Sequence, residues 1–349
     1  RFGDVNIHAG YCYKGAGAVS DYVKNAAGMP GIVKQLLDQN GYPEINDDPL
    51  SGMNASISNY MDISDYDLCG DHEQGNPTSA DPKNISNTVA DAWKASGNSL
   101  SLDYLFNPQI SNTNKRSYEN ATGLFQLDNN GYYYYDMRQN FAEYNQDSNQ
   151  FILYDAPAVD RTDKSYENGS FTDGRSVGNF LPFNTGAQVF DLVKDGKLSS
   201  NENISSHNER TTAGYMNHHL GMTVNIDFRQ PLEGKINTGS SSNIPMTFQF
   251  SGDDDVWIFI DDVLVLDLGG IHSEIYGTID FSDGTIRVGQ SWKTNGFPYN
   301  ADGTVNLEKL YQDADPVLTT TLRQQFDNAG RLDSVLWNNN TFASNTSHT

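Results

Sequence analysis

Apolar residues along this chain recur mostly with the two-residue period of a strand. From Leu220 to Phe228 they occupy every second position, and Met246, Phe248 and Phe250 repeat the pattern. That spacing sends one row of side chains to a core face and the other to solvent. Two runs then become apolar at every position, Val256-Trp257-Ile258-Phe259-Ile260 and Val263-Leu264-Val265-Leu266. Asp261-Asp262 lies between them, residues suited to a tight turn. The pattern predicts a hairpin buried on both faces. Ser282-Asp283-Gly284 separates Tyr276–Phe281 from Thr285–Val288, and Asn129-Asn130-Gly131 separates Leu124–Leu127 from four consecutive tyrosines, Tyr132 to Tyr135. Both are hairpin signals. Phe141 through Tyr154 supplies further strand. Helical spacing is confined to Ile32, Val33, Leu36 and Leu37, stopped by Gly41, and to a short piece within Thr319–Phe326.

These elements predict a mainly β, antiparallel fold with long loop insertions and a few short helices. Residues 1–30 read as an N-terminal extension, Gly- and Ala-rich with little period. Residues 31–349 read as one elaborated domain in which 44–100 and 155–212 are polar, turn-rich insertions. A length of 349 residues is ample for a sizeable core.

Charge narrows the partners. The formal net charge is -23, so phosphate backbones would be repelled and nucleic acid is excluded as a partner. Such a surface suits cations or uncharged ligands such as sugars. No run approaches the roughly 18 apolar residues of a membrane span, so direct membrane insertion is not expected. Arg1-Phe2-Gly3-Asp4 does not read as a signal peptide, and the expectation is a processed or trimmed piece. Cys12 and Cys69 would be free thiols in a reducing compartment and a disulfide in an oxidising one; the extracellular character of the composition favours the disulfide. Asn-x-Ser/Thr sequons occur at Asn54, Asn84, Asn120, Asn168, Asn203, Asn339 and Asn345, and a chain this rich in Asn, Ser and Thr produces them freely.

The candidate chemistry gathers at Asp253, Asp254 and Asp255, three adjacent acids directly before an apolar strand. Neighbouring carboxylates repel unless a cation neutralises them or solvent screens them, so a cation site competes here with a solvated turn. Asp65 to Asp71 resembles a calcium loop only superficially, because Cys69 and Asn76 stand where oxygen ligands belong. His218 and His219 are neighbours and would point apart in a strand, which favours structural roles. Among the four tyrosines, Tyr133 and Tyr135 share one side of a strand and could stack on a sugar; a core-and-edge role is the simpler alternative. No Gly-x-Ser-x-Gly, His-Glu-x-x-His or phosphate-loop motif occurs. Adjacent carboxylates also lack the roughly 5–10 Å separation of a glycosidase pair, so an enzyme is not expected.

The stretch Phe250-Ser251-Gly252-Asp253-Asp254-Asp255-Val256-Trp257-Ile258-Phe259-Ile260-Asp261-Asp262-Val263-Leu264-Val265-Leu266-Asp267-Leu268-Gly269-Gly270-Ile271-His272 resembles the fibro-slime family. That family is a branch of the protective-antigen-type β-sandwich domains, which include flocculin-like lectins. Shorter pieces, among them Gly41-Tyr42-Pro43, Gly123-Leu124-Phe125-Gln126 and Phe180-Leu181-Pro182-Phe183-Asn184, are similar to its clostridial surface-protein version. The resemblance implies a β-sandwich in which Asp253 and Asp254, joined by a cis peptide, hold Ca2+ and through it a carbohydrate or host-surface ligand. Asp255 would add a ligand or face solvent. Trp257 and His272 follow as ligand-contacting candidates, with a structural hydrogen bond as the competing role for His272. It further implies an adhesin-like, cell-surface or cell-wall setting. Two more strands would follow Thr349, so an unpaired edge could drive self-association or accept a strand from a neighbour.

Overall fold

The computed structural model describes residues 4–9, 31, 33–44, 46, 101–109, 116–137, 139–155, 180–185, 192–194, 197–199, 210–211, 214–215, 220–237, 242–252, 254–269, 275–290 and 316–349. In chain order the principal elements are β1 (Asp4–Ala9), the one-turn helix α1 (Asp103–Phe106), β2 (Arg116–Tyr118), β3 (Asn140–Asn145), β4 (Gln150–Asp155) and β5 (Leu220–Asn225). There follow β6 (Thr247–Gly252), β7 (Val256–Ile260), β8 (Val263–Leu268), β9 (Ile275–Asp280), β10 (Thr285–Gln290), β11 (Pro316–Thr321) and α2 (Leu322–Asn328). The fold is mainly β, its sheets are antiparallel, and the arrangement is that expected of a β-sandwich.

The main core lies between two layers. One is a four-stranded sheet in the order β6-β9-β10-β11, and the other contains the β7–β8 hairpin. Ile275 and Ile279 of β9, with Ile286 and Val288 of β10, pack against Val263, Val265, Leu266 and Leu268 of β8. The layers meet closely at Gly277. A Cβ there would stand 2.7 Å from Leu268 Cδ1 and 2.9 Å from Leu266 Cδ2. The side of this core is closed by Leu322 and Phe326 of α2 and by Phe342. Helix α2 begins where Thr321 leaves the strand and its hydroxyl accepts from Gln324 N at 3.2 Å, a threonine N-cap.

Residues 33–41 depart from the helix that the spacing of Ile32, Val33, Leu36 and Leu37 predicts. Residues 33–37 lie, with a bend at Gln35, along the side of β8 away from β7: Leu36 bridges Val263, Leu264 N donates to Gln35 O, and Leu37 N donates to Asp262 O. A helix would satisfy its own backbone but leave buried groups on β8 without partners, which is costly. A helix this short is also marginal alone. The side chains suit the extended form, since Val33 is buried and Leu36 packs on the main core.

A second apolar cluster is built from Ala121, Leu124, Ala142, Tyr144 and Phe151, with Phe180, Phe183 and Met222 against it. It joins the β3–β4 hairpin to a sheet in which β1 lies between β5 and β2. The tail, polar in sequence, is integral. The two-residue strand Ser347–His348 pairs with Phe228–Arg229, and Thr341, Phe342 and His348 are buried.

Candidate functional site

The terminal pairs of β6–β9 and of the β7–β8 hairpin define one end of the sandwich. Gly252 pairs with Ile275, and Val256 with Leu268, so the two ends of the connection 253–255 lie beside the strand ends Ile275 and Leu268. Asp254 and Asp255 are exposed on that connection. Asp253 and His272 lie outside the described residues, and so does the Asp253–Asp254 peptide bond. Among the described residues no three His, Cys, Asp or Glu side chains converge as a metal site. Cys12, Cys69, Asp65 to Asp71, His218 and His219 also fall outside the described residues.

Near the end of β8, just before the connection 269–274, sits a further, half-buried acid. Asp267 is the cross-strand partner of Trp257. Its Oδ2 accepts from Gly31 N at 2.7 Å, its Oδ1 from Gly269 N at 2.9 Å. Burial pushes its carboxyl above the usual carboxylate range, while the bonds from Gly31 and Gly269 pull the other way. Trp257 Nε1 is buried beside it without a formed hydrogen bond. Only glycine fits at 269, since a Cβ there would lie 2.6 Å from Trp257 Nε1 and 3.1 Å from Asp267 Oδ1. Trp257 therefore packs against Gly269 and beside Asp267. The sign of the role of Asp267 in the sequence is a single acid inside an otherwise apolar strand.

At the opposite end of the hairpin, Asp261 and Asp262 form the expected turn. Both adopt left-handed φ, 47° and 67°, the backbone of a two-residue turn matching strand twist. Asp261 does more than turn. Its Oδ2 lies 2.6 Å from His348 Nδ1, its Oδ1 accepts from Thr349 N at 3.0 Å, and its own N donates to Thr349 O at 2.8 Å. His348 Nε2 meets Thr346 Oγ1 at 2.7 Å, and the ring stacks on Phe342 with centroids 3.8 Å apart. Burial works against charge on Asp261, but the hydrogen bonds from His348 and Thr349 outweigh it. The carboxyl is held below its ordinary value.

The tyrosines do not form one platform. Tyr133 is exposed opposite Leu127, also exposed. Tyr135 instead packs edge-on against Phe180, and its hydroxyl donates to Asn140 O at 3.0 Å. Strand pairing stops at Tyr134, so alternation no longer keeps Tyr135 on the side of Tyr133.

Comparison with known proteins places the similarity elsewhere than the clostridial fibro-slime proteins. Protein psiD of Dictyostelium discoideum is 44% identical over 63 residues, 17% of this chain and 12% of that protein. Protein psiG of the same organism is 31% identical over 126 residues, 34% of this chain and 16% of its own length. Protein psiE is 30% identical over 133 residues, covering 37% and 22%. The chain thus spans less than a quarter of each of these relatives. No family model and no solved structure matches. The assignment to the fibro-slime family and its clostridial version is therefore corrected: the relatives found are psi proteins of Dictyostelium discoideum. The motif that suggested it maps largely onto the β7–β8 hairpin with its flanking connections, a unit that sandwich packing itself favours.

Proposed function

We propose that this chain is an extracellular ligand-binding module that takes a calcium ion at Asp253, Asp254 and Asp255 and uses it to engage a carbohydrate. The observation that supports this most is the placement of Asp254 and Asp255. They are exposed on a three-residue connection whose ends are fixed by β6 and β7. Calcium takes six to eight hard oxygens, and consecutive aspartates on a short, anchored connection supply such donors. The bound ion would offer open coordination positions to sugar hydroxyls, while the chain's part is to hold the carboxylates and exclude strand motion beneath them.

The test is calcium titration with melting temperature, wild type against Asp253→Ala/Asp254→Ala. Saturable binding should raise the wild-type stability by about 2.7 kcal/mol at a hundredfold excess over Kd, and the double variant should lose that gain. A wild type whose melting is indifferent to calcium and chelator overturns the reading. A glycan array run in calcium and in chelator then identifies the sugar.

A second reading, a self-associating surface subunit, is favoured by β11. Among the described residues it is an outer strand of the four-stranded sheet, and Val317 and Leu318 are both exposed on it. Its signature is an oligomer that grows with concentration.

A further inference from the structure

We propose that Asn345 is an N-glycosylation site. The inference rests on the extracellular part of the proposed function, because the transfer occurs in the secretory pathway, and it is independent of calcium.

Three of the sequons fall within the described residues, and their surroundings differ. At Asn339 the required hydroxyl is on Thr341, which is buried, donates to Phe281 O at 2.7 Å and receives Gln230 Nε2 at 3.3 Å. Folding withdraws it. At Asn120 both the asparagine and Thr122 are exposed, and the bonds of Thr122 to Asn149 O and from Phe151 N are main-chain only, so folding does not withdraw this sequon. At Asn345-Thr346-Ser347 both Asn345 and Ser347 are exposed.

The Asn345 turn is held by its main chain. Asn345 adopts φ 68°, its N donates to Gln230 O at 2.8 Å, and its O accepts from Arg229 Nε at 3.3 Å. None of these bonds uses the side-chain amide. A glycan can therefore be added without breaking a contact that keeps the tail docked. The transfer joins Asn345 Nδ2 to the anomeric carbon of a lipid-pyrophosphate-linked oligosaccharide. The carbon–oxygen bond to the pyrophosphate breaks, the lipid pyrophosphate leaves, and the amide nitrogen gives up one proton.

The experiment is peptide mass spectrometry of chain secreted from a eukaryotic host and treated with peptide N-glycosidase in heavy-oxygen water. The Asn345 peptide should be recovered as labelled aspartate from wild type and from Ser347→Thr, and as unmodified asparagine from Ser347→Ala. Secreted wild type whose Asn345 peptide is unlabelled and intact overturns the proposal. Because the readout is the residue itself, a failed calcium titration does not imitate that result.

Discussion

Asp261 illustrates how much one side chain can join. As a turn residue it needs only tolerance of a left-handed φ, and an aspartate between two apolar runs makes that role legible from local sequence. Its bonds to His348 and Thr349 are not legible, because they span 87 and 88 residues. The pH consequence follows from direction alone. A carboxyl whose folded value lies below its ordinary 3.8 contributes stability fully above that ordinary value and loses it as pH falls through the folded value. Asp261→Asn should therefore be less stable than wild type by urea unfolding at about pH 6, with the gap narrowing toward about pH 3. A gap that stays constant across the range would show that the charge is immaterial. Asp267 has the opposite sign: burial raises it, so its ionisation costs stability as pH climbs above the ordinary value.

Strands and hairpins were readable because period and turn residues agree. β7, β8, β9 and β10 all lie where alternation or continuous apolar runs put them, and Asp261-Asp262 and Ser282-Asp283-Gly284 do turn. The failures occurred where an element answers a distant need. Val33 and Leu36 carry a helical spacing, yet the backbone of β8 required an extended neighbour. Residues 338–349 look polar because Phe342 is isolated in sequence and meets Phe326 only in space. Layer contact also depends on one residue without a side chain. Gly277→Ala would press a methyl group into Leu266 and Leu268, and should cost about 1–3 kcal/mol in urea unfolding. A variant as stable as wild type would mean the layers can part there freely.

For the whole molecule, charge and shape oppose each other. A net charge of -23 discourages copies from meeting, while β11 offers them an apolar outer strand. If the strand prevails, sedimentation will find an oligomer that Val317→Lys converts to monomer, since an edge lysine blocks strand-to-strand pairing. A wild type that stays monomeric at high concentration removes that reading. The acidic site was legible as a cluster of donors because three aspartates abut a core strand; the bonding of Asp267 was not, because Gly31 reaches it from 236 residues away. That separation also sets a delay. During synthesis at about 5–20 residues per second, the segment holding Val33 and Leu36 waits roughly ten to fifty seconds before the strand it lies against exists. For that interval its apolar side chains and open backbone are available to any other chain nearby, which makes an early-made segment of the described fold a late-satisfied one.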